Sequence, residues 1–276
     1  VIGGGIAGVS AAYYLSKENT DWSIAIYDQD KIPSPKGSSY GESRMYREMY
    51  SDPFYACLMK KSLALWDEIE QLSKKKLLDR EGLLFFGSND TGETVEGSID
   101  GAERTMRDLG IEYKKYDIAQ KISSDFDGIN PGKDDTALFS FSDGKIHATN
   151  ACKAIRELGE SNGVEVNEDV MIMGVCQSED LYIISLLDGR IVTAKNIVLA
   201  TGAWTKENLK NWFNYDIDTE IHSVAWGYYK VADDLQSLPQ WFCFRKQMHT
   251  NAYSECQGLY YGFPIENEEE IGRRRV

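Results

Sequence analysis

The spacing Gly3-x-Gly5-x-x-Gly8, set between an apolar strand and a helix, constrains the fold of this chain more than any other feature. Its glycines let the backbone turn tightly and approach a pyrophosphate, while the helix they open, with Ile6 and Ala7 among the cofactor-binding candidates, aims its amides and positive dipole end at it. Ala7, Ala11 and Ala12 are small where a helix must lie close to a sheet, and Ile24 and Ile26 mark the next strand, which completes one βαβ unit. Asp28 ends that strand about twenty residues past Gly8, where a carboxylate accepts hydrogen bonds from both ribose hydroxyls and opposes a 2′-phosphate. For Asp28 taken alone, a solvated strand-end acid is the plainer reading.

Composition narrows the class. A chain of 276 residues, 42% of them hydrophobic, can bury the core of one large domain or two intimate ones. A formal net charge of −14 opposes nucleic acid and anionic lipid as partners, since both need an accessible basic field. No apolar run reaches the roughly 18 residues of a membrane helix, and Gly3, Gly4, Gly5 and Gly8 interrupt the amino terminus, so neither a span nor a secretory signal is expected. An intracellular compartment follows as the expectation. The cysteines lack C-x-x-C spacing and the three histidines lie far apart, which opposes a disulfide framework or a zinc site. Val1 already lies inside a strand, so the chain reads as a fragment at that end.

Further along, residues 52 to 75 are expected as an amphipathic helix with Asp52 as N-cap, Pro53 at its first position, and Leu58, Leu65, Ile69 and Leu72 facing a core. A strand at 83 to 86, a helix near 98 to 109 stopped by Gly110, and a strand at 137 to 141 read as an insertion into the first domain. Thr149 is expected to cap a helix that Gly163 ends, and LYIISLLDGRIVTA reads as a hairpin turning at Asp188-Gly189. NIVLATGAW reads as a buried closing strand. IHSVAWGYYKVA, WFCFR and GLYYGF read as strands of a second, aromatic-rich sheet facing a ligand.

An NAD-type domain would continue with βα repeats after Asp28. This chain instead enters a serine-glycine loop and returns late to a strand ending Ala200-Thr201-Gly202, an order that resembles the glutathione-reductase-like FAD fold. For Thr201 and Gly202 an ordinary strand-to-helix turn stays open. GSSYGESRMYR, then EMYSDPFYACLMKKSLALWDEIE, REGLLFFG, DGKIHATNACKAI, IVLATGAW and LYYGFP resemble, in order and spacing up to Pro264, the D-amino-acid-oxidase-type flavoprotein superfamily. Within it the resemblance is nearest to the monomeric and peroxisomal sarcosine oxidases, which include pipecolate and N-methyl amino acid oxidases.

The resemblance implies an α/β chain: a discontinuous FAD-binding domain over 1–79 and 148–214, with an inserted, mainly antiparallel-sheet substrate domain over 80–147 and 215–264. It implies FAD as cofactor, oxidation of a secondary amino acid with oxygen to an imine and hydrogen peroxide, a monomer, and a cytoplasmic or peroxisomal location. In the loop, Ser39, Tyr40 and Ser43 fall at cofactor-binding positions, Arg44 at the position against the flavin ring, and Arg47 at the position that binds the substrate carboxylate. The family often has histidine where Tyr40 stands. Ile172, Thr201, Gly202 and Trp204 fall at further cofactor-binding positions, with Ile172 touching the adenine through its backbone. Chemistry supports the arginine pair: a fixed cation favours a ring that gains negative charge, and a planar fork orients a carboxylate better than lysine does. The plainer alternatives are that both are solvated helix-start arginines, or that one of them pairs with Glu42 or Glu48. Trp204, Trp226, Tyr228, Tyr260 and Tyr261 either wall a cavity or fill a core. Residues 265–276 depart from the resemblance and read as a solvated tail, without the oxygen-activating lysine and later segments of the family. A catalytically inactive FAD-fold chain is therefore the rival expectation, and an NAD(P)-dependent dehydrogenase a remote one.

Overall fold

The structure is a computed structural model that describes residues 1–19, 21–88, 94, 96–222, 227, 238–245 and 258–263. Its elements run α1 (Ile6–Glu18), β1 (Ala25–Tyr27), β2 (Arg44–Tyr46), α2 (Pro53–Ser73), β3 (Leu78–Asp79), β4 (Leu83–Gly87), α3 (Ile99–Leu109), β5 (Tyr113–Tyr116), α4 (Ala119–Asp125) and β6 (Thr136–Ser140). There follow β7 (Gly144–Ile146), α5 (Ala148–Ser161), β8 (Glu165–Asn167), β9 (Ile172–Ser178), β10 (Leu181–Leu186), β11 (Ile191–Ala194), a 3-10 turn (Gly202–Trp204), α6 (Thr205–Phe213), β12 (Gln240–Arg245) and β13 (Gly258–Gly262). They form two compact units. One holds Val1–Arg44, Asp67–Leu77 and His147–Trp226; the other holds Met45–Trp66, Leu78–Ile146 and Gly227–Val276.

In the first unit, Ile2 stands between two parallel neighbours, bridging Tyr27 on one side and Leu199 on the other, while β1 pairs in parallel with β8. Helix α1 packs against α5, burying Val9, Ala12 and Tyr13 against a face that includes Ala151, Cys152 and Ile155. Ala12 and Ala151 are fully buried, and their small size lets the two axes approach. Ala7, expected against the sheet, is exposed in the first turn. β9, β10 and β11 make an antiparallel meander whose last turn takes positive φ at Gly189 (86°). Two expectations fail here. Residues 197–200 are half-buried extended chain, not a buried strand, because Ile197 and Leu199 pack on a single apolar cluster. The N-cap of α5 is His147, and Thr149 sits one turn-step inside, its hydroxyl turned to Gly41.

The second unit is built on the sheet β13-β12-β4-β6-β5, in which β12 and β4 run parallel and the other neighbours antiparallel. The run LLFF suits its centre: Leu83 and Phe85 enter one cluster with Met49, Met106 and Phe244, while Leu84 and Phe86 enter another with Tyr116, Ile122 and Cys243. Ser98 caps α3 by accepting from the Gly101 amide, and Gly110 stops it with φ 66°. A separate sheet has the order β2-β7-β3. Residues 45–66, expected with the first domain, cluster with this unit because Met45 and Met49 pack into its core.

The expected burial of α2 is also overturned. Asp52 does cap it, accepting from the Phe54 amide at 2.8 Å. Ile69 is 2% exposed and Ala56 is buried, but Leu58 and Leu72 are 51% exposed and Leu65 is 45% exposed. Leu58, Leu65 and Leu72 share one narrow stripe at heptad spacing, and the buried face lies rotated off it toward Ile69.

Candidate functional site

The glycine turn follows from backbone sterics. Gly3 has φ 99°, and a Cβ there would overlap the carbonyl of Ala200; a Cβ on Gly8 would overlap the carbonyl oxygen of Gly3. Gly5 is the N-cap of α1, and a Cβ on it would press on the Ser39 hydroxyl. Ile6 and Ala7 are exposed at the helix start, where the first amides have no intrahelical acceptor, and Ser39 Oγ accepts from the Ile6 amide at 2.9 Å. Asp28 closes the turn from the far side: Oδ2 accepts from the Gly4 amide at 2.7 Å and Oδ1 from the Asp30 amide at 2.9 Å. Each carboxylate oxygen keeps a second lone pair for a ribose hydroxyl.

Arg44 staples the loop that carries it. Its Nε and Nη2 donate to the Ser38 carbonyl at 3.1 and 2.8 Å, Nη2 to the Tyr40 carbonyl at 2.7 Å, and Nη1 to the Ser43 carbonyl at 2.6 Å. Gly41, at φ 124°, makes room, because a Cβ there would stand 3.1 Å from Arg44 Nη1. Thr149 completes the fixture: its Oγ1 accepts from the Gly41 amide at 2.9 Å and donates to the Gly41 carbonyl at 2.8 Å. Arg44 itself is exposed, so the loop presents an immobilised cation. The plainer reading of a freely solvated side chain does not describe it.

Arg47 belongs to the second unit and is 6% exposed. Its guanidinium lies over the rings of Tyr50, Phe85 and Phe242, at 4.5, 5.3 and 5.6 Å from their centroids. It pairs with Glu96, Nη2 to Oε2 at 2.7 Å, and not with Glu42 or Glu48 as the alternative reading had it. Its Nε is buried without a hydrogen-bond partner. Glu48 instead accepts from Ser142 at 2.7 Å, and its amide donates to Asp143 Oδ1 at the same distance. Asp143 is fully buried, and that burial pushes its carboxyl up to about 7, with the Glu48 carboxylate adding to the rise. Sequence reading missed Glu96 and Asp143, whose partners are distant in the chain and follow no periodic pattern.

The remaining expected residues are more scattered. Ile172, half-buried at the start of β9, packs its side chain against the cluster of Ile2, Val175, Ile184 and Leu186. Thr201 Oγ1 lies 3.1 Å from Thr205 Oγ1, and Gly202 takes φ 55° with open space where a Cβ would point. Trp204, Tyr260 and Tyr261 are exposed; Tyr261 stacks on Phe242, centroids 5.9 Å apart. Tyr40 is exposed and Ser43 half-buried. Trp226 and Tyr228 lie outside the described residues. Among the described residues, no cluster of His, Cys, Asp and Glu could hold a metal ion, and no helix is long and apolar enough to cross a membrane.

The model of the FAD dependent oxidoreductase family matches residues 1–263. The chain belongs to that family. Among curated members, monomeric sarcosine oxidase of Arthrobacter sp. (strain TE1826) is 25% identical over 270 residues, covering 96% of this chain and 64% of that protein. Peroxisomal sarcosine oxidase of Homo sapiens is 26% identical over 212 residues, covering 76% of this chain and 51% of its own. Among solved structures, NikD, an unusual amino acid oxidase essential for nikkomycin biosynthesis, superposes with a TM-score of 0.76 at 20% identity, over 96% of this chain and 65% of that one. The chain thus spans 64% of the Arthrobacter relative's length, and its fold, mixed helix and sheet with antiparallel sheets, is that of FAD-dependent oxidoreductases. The family is FAD dependent, and the residues present fit that group: the Gly3–Gly8 turn, where a side chain at Gly3 or Gly8 would collide with backbone, leaves the start of α1 uncovered beside the Asp28 carboxylate.

Proposed function

We propose that the chain is the greater part of an FAD-dependent amino acid oxidase acting on a secondary amino acid of the sarcosine or pipecolate kind. Oxygen accepts the two electrons and two protons the amine gives up, so the products are the imine and hydrogen peroxide. The protein would act as a monomer in the cytoplasm or peroxisome.

When bound, FAD supplies the two-electron acceptor; everything else falls to side chains and amides. Gly3, Gly5, Ile6, Ala7 and Gly8 would hold the pyrophosphate through backbone amides, Asp28 the ribose hydroxyls, and Ser39, Tyr40 and Ser43 the cofactor's further polar edges. Ile172, Thr201, Gly202 and Trp204 would line its remaining length. Arg44, already fixed by three carbonyls, would favour the reduced cofactor by its charge, with no reorganisation left to make. Arg47 would take the substrate carboxylate. The observation that carries this reading is Arg47 itself: a buried guanidinium over three aromatic rings with an unpartnered Nε suits a small apolar acid.

The test is a visible spectrum of the purified protein followed by a peroxide-coupled assay with sarcosine and pipecolate. A flavin spectrum with amine-dependent peroxide is the expected outcome. Bound flavin without turnover would reduce the function to nucleotide binding, and a protein that takes up no flavin would overturn the reading.

A further inference from the structure

We infer that Glu96 is a built-in occupant of Arg47, a side-chain carboxylate that an incoming carboxylate must displace. This rests on the reading of Arg47 as a carboxylate site and adds to it a residue that sets its affinity and selectivity.

A guanidinium offers a carboxylate two bidentate faces, one using Nε and Nη2, the other Nη1 and Nη2. Both need Nη2. That is the nitrogen Glu96 holds, through its carboxylate Oε2 at 2.7 Å and, at longer range, its main-chain carbonyl at 3.5 Å. Nη2 carries one hydrogen for each fork, and with two Glu96 oxygens beside it neither is left over; the buried, unpartnered Nε of Arg47 is the mark of a side-on fork left unmade.

Glu96 is placed to leave cheaply. Its side chain is 43% exposed while that of Arg47 is 7% exposed, so the carboxylate can move into water without first being desolvated or resolvated at depth. It rides a closed turn: the Thr94 and Gly97 amides each donate to the other's carbonyl at 3.0 Å, and Thr94 Oγ1 accepts from the Glu96 amide at 3.1 Å. Rotation of the Glu96 side chain removes the carboxylate and leaves Nη2 only the 3.5 Å contact with the Glu96 carbonyl, with the turn unchanged. In the free protein the pairing keeps a buried cation from standing uncompensated, which would be costly. An external carboxylate offsets the exchange by making two charge-assisted bonds where the Glu96 carboxylate makes one. An uncharged analogue cannot, so the device selects for acids.

The experiment is a ligand-observed magnetic-resonance titration of cyclopentanecarboxylate and its carboxamide into the wild-type chain and the Glu96→Gln and Arg47→Lys variants, with melting temperatures recorded alongside. Glu96→Gln is expected to bind the carboxylate about tenfold or more tightly, since a competing charge-assisted bond is gone, with the carboxamide unchanged. Its melting temperature should also rise more on adding the carboxylate than the wild type's does. Arg47→Lys is expected to weaken the carboxylate. If Glu96→Gln leaves carboxylate affinity equal or lower while Arg47→Lys weakens it, the occupant role is overturned and the carboxylate site stands. If neither substitution matters, or none of the proteins binds the acid, the carboxylate reading of Arg47 falls and the occupant role with it.

Discussion

At Gly8 one added methyl group would overlap the Gly3 carbonyl oxygen, and backbone cannot step aside as a flexible side chain can. Gly8→Ala should therefore cost on the order of 3 kcal/mol or more in urea unfolding and remove FAD binding in a titration. Asp28 is held less by shape than by hydrogen bonds. Asp28→Ala removes the acceptor of the Gly4 and Asp30 amides, each worth about 1.5–3 kcal/mol when charged, so FAD affinity and stability should fall together. Unchanged FAD affinity would take Asp28 out of the site. Asp143 gives a prediction with a sign. Its folded pKa of about 7 is above the ordinary carboxylate value, so the folded state binds the proton more tightly and the unfolded state loses it first. The group's contribution to stability is full below the ordinary carboxylate range and is lost as pH rises toward 7, at a limiting slope of about 1.4 kcal/mol per pH unit. Asp143→Asn, which keeps an oxygen for the Glu48 amide, should melt higher than wild type at pH 8 and no higher at pH 4. Equal melting temperatures at both pH values would show that Asp143 is not the group that titrates.

Helices and loops here follow their local signals more faithfully than their faces. Asp52, Ser98 and Gly110 start or stop α2 and α3 where side-chain caps and left-handed backbone predict. The face of α2 does not follow from its own pattern, because heptad-spaced leucines identify a stripe but not what covers it. Substituting Leu58, Leu65 or Leu72 with Gln should change unfolding free energy by less than about 0.5 kcal/mol, whereas Ile69→Ala should cost about 2–5 kcal/mol. A large loss from the leucine substitutions would place that stripe in the core after all. In the 37–44 loop, Arg44→Lys keeps the charge but cannot reach three carbonyls at once. Amide exchange at residues 38–43 should therefore speed up in the variant, and an unchanged exchange pattern would show that the loop is held by Thr149 alone.

For the molecule as a whole, ligand binding should appear as stability. FAD at a hundred times its dissociation constant should stabilise the chain by about 2.7 kcal/mol, read as a rise in melting temperature, while NAD added in its place should leave it unmoved. A shift with NAD and none with FAD would return the remote dehydrogenase reading. Much of this molecule was legible beforehand where the deciding forces act over a few residues. Gly3 and Gly8 are forced by backbone contacts within the turn, Gly189 by the φ of a tight hairpin, and the doubly buried strand Leu83–Gly87 shows itself as an unbroken apolar run. The arginine pair was legible only as a pair. Arg44 is held by carbonyls of its own loop, within six residues, which no periodic pattern marks, whereas the burial of Arg47 over Phe85 and Phe242 depends on chain brought together from far apart. The same holds for Thr149, which reads locally as a helix cap and is taken instead by Gly41. The glycine turn, the caps of α2 and α3, the apolar run of β4 and the family were readable from residue order, because steric exclusion and periodicity are local. The partner of a buried charge such as Arg47 and the face that α2 buries came from the folded chain alone, because pairing and burial depend on which distant segments exclude water together.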